Sequence, residues 1–80
     1  MQKTTITGST TINEVGYDPQ TNDFLVQYYR TGEYIYPNFP KEEYDAIMEI
    51  YAAGGSIGSE IHKRVKGREF RNIGKELRAL

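Results

Sequence analysis

Eighty residues make one domain, and a chain this short buries only about 60–65% of the surface it exposes when unfolded, so its core is small. The absence of cysteine excludes disulfide staples and Cys-based zinc sites. The net charge of −1 hides a split: residues 1–60 carry three Lys or Arg against nine Asp or Glu, and residues 61–80 carry seven against two. Near-neutrality disfavours long duplexes, whose binding needs many phosphate neutralisations. A basic end suits a few phosphates, or the acidic end of a second copy.

The opening run Met1-Gln2-Lys3-Thr4-Thr5 is polar, and residues 1–9 are expected to form a flexible terminus. Thr10 to Tyr17 has the β-branched content of a strand, with imperfect alternation. Asp18-Pro19-Gln20-Thr21-Asn22 reads as a turn, since Pro19 pre-sets φ and Asn22 tolerates the left-handed region. Asp23 to Tyr29 alternates as a second strand, with Phe24, Val26 and Tyr28 on one face and Leu25, Gln27 and Tyr29 on the other. Arg30-Thr31-Gly32 closes a hairpin, and Glu33 to Tyr36 is a third strand. Within it Tyr34 and Tyr36 share a face and Ile35 takes the other. The two rings either face outward, to stack on a base or donate to phosphate, or face inward as core with a polar tip.

Pro37 to Pro40 ends the sheet, because proline donates nothing to a ladder, and Pro40 suits the start of a helix. Lys41 to Ala53 carries the stripe Tyr44, Ile47, Met48 and Tyr51, the pattern of a half-buried helix. Gly54-Gly55 ends it. Ser56 can N-cap a second helix, Ile57 to Lys66, with Ile57, Ile61 and Val65 on one face. Gly67 breaks that helix. Phe70, Ile73, Leu77 and Leu80 recur at helical spacing and predict a short third helix or a partner-binding tail. The fold class expected is α+β: a three-stranded antiparallel β-meander packed by two C-terminal helices, with room for a short third one. The domain spans 10–73, after a flexible 1–9 and before a tail or helix end at 74–80. Strand two is apolar on both faces, which predicts a homo-oligomer.

The candidate site residues fall into three groups. Lys63, Arg64, Lys66, Arg68 and Arg71 form a basic cluster. With the aromatic faces of Tyr34 and Tyr36 they make the pairing that holds single-stranded nucleic acid or a small nucleotide. Ser56 and Gly58 lie in the glycine-rich opening of the second helix, where free N–H groups and a hydroxyl can hold an anion. This is not a P-loop, for it lacks the Gly-Lys-Ser/Thr ending. His62 is the only imidazole, and no thiol accompanies it. It can serve as a base, a phosphate donor or a plain helix-surface residue. One histidine and scattered acids make no metal-ligand spacing, and no cofactor is expected. No apolar run is long enough to be a signal segment or to span a bilayer, which predicts a soluble, cytoplasmic chain.

Val15-Gly16-Tyr17-Asp18, Leu25-Val26, the glycine before Tyr34-Ile35-Tyr36, Phe39-Pro40 with Tyr44, and Ala52 to Gly58 resemble, in order and spacing, the KTSC domain. The resemblance covers about Thr10 to Ile73. This family takes its name from the C-terminus of some lysyl-tRNA synthetases and includes small stand-alone proteins of bacteria and phages. Its tyrosine motif falls on Tyr34 and Tyr36 and its Ser-x-Gly turn on Ser56 and Gly58. Where members commonly carry an aromatic residue and an Asn, this chain has Ile61 and His62. RNA binding is what the synthetase context implies. The expectation is a non-catalytic module that binds RNA or a small nucleotide-like phosphate ligand, with sequestration of a nucleotide between subunits as one version. The alternative is a protein-interaction module using the apolar and basic C-terminal segment.

Overall fold

The computed structural model describes residues 2–72. In chain order these form β1 (Gln2–Thr5), β2 (Ile12–Asp18), β3 (Asp23–Tyr28), β4 (Gly32–Tyr36), α1 (Lys41–Ala52), α2 (Ile57–Val65) and β5 (Arg71–Asn72). The strands make one antiparallel sheet in the order β1-β2-β3-β4-β5. The α+β class and the two helices follow the sequence. The sheet does not: it has five strands, where three were expected.

Both extra strands lie at the edges and lack an apolar rhythm. β1 reads Gln-Lys-Thr-Thr, yet Gln2 to Thr5 pair with Tyr17 to Glu14, so a segment predicted to be flexible is held by its ladder. Ile6 follows at 3% exposure and anchors it in the core. β5 is two residues long, pairing Arg71 with Ile35 and Asn72 with Tyr34. It takes the place where a third helix was expected to begin; Ile73, Leu77 and Leu80 lie outside the described residues. The polar β1 suits an edge, where charge and short length discourage pairing with other chains.

The helices cover one face of the sheet. Val15, Tyr17, Phe24, Val26 and Tyr36 meet Ile47 of α1 and Ile57, Ile61 and Val65 of α2 in a single core. The imperfect rhythm of the second strand has a structural cause. A bulge between Ile12 and Glu14 inserts Asn13, so Ile12 and Val15 both reach the core although they are three residues apart. Asn13 fills the irregularity usefully, its carbonyl accepting from Ile6 N (2.9 Å) and its amide donating to Gln27 Oε1 (2.7 Å). The register sets Tyr36 beside Phe24 and Tyr34 beside Val26, which turns both tyrosines toward the core.

The Pro37–Pro40 segment is anchored from three sides. Phe39 is fully buried and stacks on Phe24 at 4.6 Å between centroids. Its N–H donates to Asn22 O (2.8 Å), and its carbonyl accepts the Tyr17 hydroxyl (2.6 Å). Asn22 adopts φ 61°, the left-handed turn position expected of it. α1 then ends in a Schellman motif: Gly55 N donates to Ile50 O (2.9 Å) and Gly54 N to Tyr51 O (3.0 Å), with Gly54 at φ 87°. Ser56 caps α2 as predicted, its Oγ accepting from Ser59 N (3.3 Å).

Candidate functional site

The tight reversal at Gly54-Gly55 sets the start of α2 opposite the loop joining β1 to β2. Between them lies an open cleft of about 630 Å³. One wall is the loop, Thr7 to Thr11. The other is Gly54 to Ser59, with Tyr51 of α1 and His62 of α2 completing it. The lining is chemically uniform: seven hydroxyl side chains, four glycines, Ile57 and one imidazole. The glycines leave backbone open to close approach, and the hydroxyls both donate and accept.

The loop wall is pinned at both ends. At one, Thr7 N donates to the Tyr51 hydroxyl (2.9 Å), and the Thr7 hydroxyl lies 3.1 Å from the same oxygen. These bonds favour the phenolate and draw the Tyr51 hydroxyl below the ordinary tyrosine pKa. At the other, Tyr29 N donates to Thr11 O (3.0 Å). Between them Gly8 turns at φ 81°, and Ser9 Oγ accepts from Ile12 N (3.0 Å) and Thr11 N (3.2 Å).

Of the ten residues singled out in the sequence, Ser56, Gly58 and His62 come together in this cleft. The two tyrosines lie elsewhere. Tyr36 is 5% exposed and belongs to the core, so its ring face is not open to a base. Burial, and then the neighbouring Tyr28, push its hydroxyl far above the ordinary range. Tyr34 is half-buried, edge-on to Tyr28 (5.3 Å) and against Phe70 (5.1 Å).

The basic cluster is largely spent within the fold. Arg68 pairs with Glu43 of α1, donates from Nε to Arg64 O (2.9 Å) and lies over the Phe39 ring at 4.8 Å. Arg64 approaches Glu60 (3.5 Å) and Glu43 (3.8 Å), and Lys63 holds Glu60 at 3.0 Å. Lys63 leads the causes that keep the Glu60 carboxyl below its ordinary pKa. Three of the five cluster cations thus meet carboxylates of the same chain, Glu60 within α2 and Glu43 across on α1. Arg71 sits in β5 at the far edge of the sheet, and Lys66 is exposed at the end of α2.

Sequence reasoning missed the loop wall. The signal was present in Thr4-Thr5-Ile6-Thr7-Gly8-Ser9-Thr10-Thr11, six hydroxyls in eight residues. Nothing in that run says which helix end it faces. Among the described residues no three of His, Cys, Asp and Glu gather as metal ligands, and no helix is long and apolar enough to cross a membrane.

The fold and cleft define a small α+β module: an antiparallel meander, two helices on one face, and an open polar groove at the start of the second. The KTSC domain family model matches residues 8–70, and the chain belongs to that family. It is similar to a KTSC domain protein from Yersinia pestis known from a crystal structure. That match has a TM-score of 0.78 at 25% identity and covers 89% of this chain and 94% of that one. Among curated proteins nothing matches.

Proposed function

We propose that the protein is a non-catalytic module that binds a small nucleotide-like phosphate ligand in the cleft between the β1–β2 loop and α2. The observation that carries this is the lining itself: seven hydroxyls and four glycines around about 630 Å³. That size falls within the range of about 300–1,000 Å³ typical of small-ligand sites. Sugar and phosphate oxygens are satisfied by such donors and by exposed glycine backbone. His62 brings ring N–H chemistry to the rim. The neighbouring carboxylate on α2, Glu60, is committed to Lys63 and Arg64, which supports binding over acid–base catalysis.

A small ligand is preferred to an extended RNA because Arg64 and Arg68 are occupied by Glu43 and Glu60, and Tyr36 is core. The reading carries with it a cytoplasmic setting and a bacterial or phage protein related to the synthetase C-terminal domain. It also includes assembly into a homo-oligomer, supported by the exposed Tyr29 (56%) at the end of β3. The protein-interaction alternative draws on one observation, Phe70 at 52% exposure against Tyr34.

Calorimetric titration with adenosine monophosphate, and separately with a short single-stranded RNA, tests the reading. Saturable mononucleotide binding is expected, weakened about tenfold by His62→Ala, the effect of one hydrogen bond to a charged group. RNA binding with a steep salt dependence, insensitive to His62→Ala, moves the site to the basic residues. No binding of either, with a stable oligomer in native mass spectrometry, favours the interaction module.

A further inference from the structure

The cleft does not end at the loop. Thr10 and Thr11 also wall a second cavity of about 500 Å³, completed by Tyr28, Arg30 and Thr31 at the β3–β4 turn. The backbone bond from Tyr29 N to Thr11 O ties this turn to the shared wall. The two cavities therefore share one wall, Thr10 and Thr11. Together they exceed the range of about 300–1,000 Å³ that one small ligand fills.

Arg30 sets the chemistry of the second half. Of the other cations in the described chain, Lys66 and Arg71 line neither cavity, and Lys3, Lys41, Lys63, Arg64 and Arg68 each have an acid within ion-pair distance. Arg30 has none there, although it is exposed at the mouth of a cavity. A guanidinium so placed offers a forked donor to phosphate. Beside it, Tyr28 is half-buried and braced by Tyr34, giving a fixed ring on which a base can rest.

We infer that the two cavities act as one groove across Thr10 and Thr11 and take an elongated ligand of dinucleotide size, one unit in the Ser56–His62 cleft and the next against Tyr28, with Arg30 holding a phosphate of the second unit. This rests on the binding reading above and assigns its substrate class. Arg30 is then the residue that selects length.

The test compares adenosine monophosphate with the 5′-phosphorylated dinucleotide pApA, on the full chain and on Arg30→Gln. The exposed turn position lets the variant fold, which its circular dichroism and thermal midpoint check. Wild type is expected to bind pApA about tenfold more tightly than the mononucleotide, as one charge-assisted contact allows. Arg30→Gln should remove that advantage and leave mononucleotide affinity unchanged, and Arg30→Lys should restore part of it. Equal affinity of the two ligands for wild type, or an advantage that survives Arg30→Gln, overturns the inference while the cleft reading stands. Failure of both ligands to bind overturns the cleft reading itself, and the inference with it.

Discussion

Two glycines three residues apart carry different burdens. A Cβ on Gly55 lies 2.6 Å from Ile50 Cγ2 and 3.1 Å from the Ile50 carbonyl oxygen. That carbonyl is also the acceptor of the Gly55 N–H, so it cannot move away without breaking the helix end. Gly55→Ala should lower stability by about 1–3 kcal/mol, the usual cost of overpacking. Gly58 has nothing within 4 Å of its Cβ position and stands in the first turn of α2. Gly58→Ala should raise stability by up to about 1 kcal/mol, since alanine is the better helix former. Its methyl group enters the cleft lining, so the same variant should weaken mononucleotide binding. Urea melts beside a titration check the pair. A Gly58→Ala protein that is stabilised and binds normally argues that the ligand does not approach this backbone.

Among the elements, the bulge in β2 has the largest consequence for its size. Side chains alternate along a strand, so one inserted residue inverts everything beyond it. Asn13 is that residue, and Ile12 at 1% exposure depends on it. Deleting Asn13 restores strict alternation and turns Ile12 toward solvent. It also breaks the Ile6 N to Asn13 O bond that starts the loop wall of the cleft. The expected loss is about 2–4 kcal/mol, comparable to truncating a buried isoleucine. An Ile12→Ala variant that keeps the bulge should cost a similar amount yet leave the loop amides unshifted in NMR spectra. Equal spectra for the two variants would show that the bulge does not position the loop.

For the whole molecule, the buried phenols and the Glu60 ion pairs within α2 define the pH limits. Tyr17, Tyr28, Tyr36 and Tyr44 all have raised pKa values, each chiefly through burial. Unfolded, they ionise near their ordinary value of 10; folded, they keep the proton. Their contribution is complete below pH 10 and is lost as pH rises through the folded values. Glu60 works in the opposite sense. Its lowered pKa contributes stability above the ordinary carboxylate value, and this is lost as pH falls through the folded one. Urea midpoints should therefore be flat from about pH 5 to 9, fall steeply above about 10 and decline more gently in acid. Glu60→Gln should flatten the acid side alone; an unchanged acid limb would remove Glu60 as its source.

The sequence by itself determined what local chemistry determines. The turn at Asn22, the helix start after Pro40, the Gly54-Gly55 stop, the Ser56 cap and the apolar stripe of α2 each depend on neighbours within a few residues. Tyr34 and Tyr36 were legible as sharing a face, because alternation is local; that the face is the core was not, because it depends on where α1 and α2 pack. The edge strands escaped notice for the same reason. β1 has no apolar rhythm, and β5 is too short to have any, so only the ladder reveals them. The charge split was visible, but its destination was not. Arg64 and Arg68 meet Glu43 because α2 folds back on α1, and cations that read as free for a ligand become internal partners. The cleft belongs wholly to the tertiary structure: its walls, Thr7 to Thr11 and Gly54 to Ser59, are 43 to 52 residues apart in the chain, and only the antiparallel meander and the reversal at Gly54 bring them together.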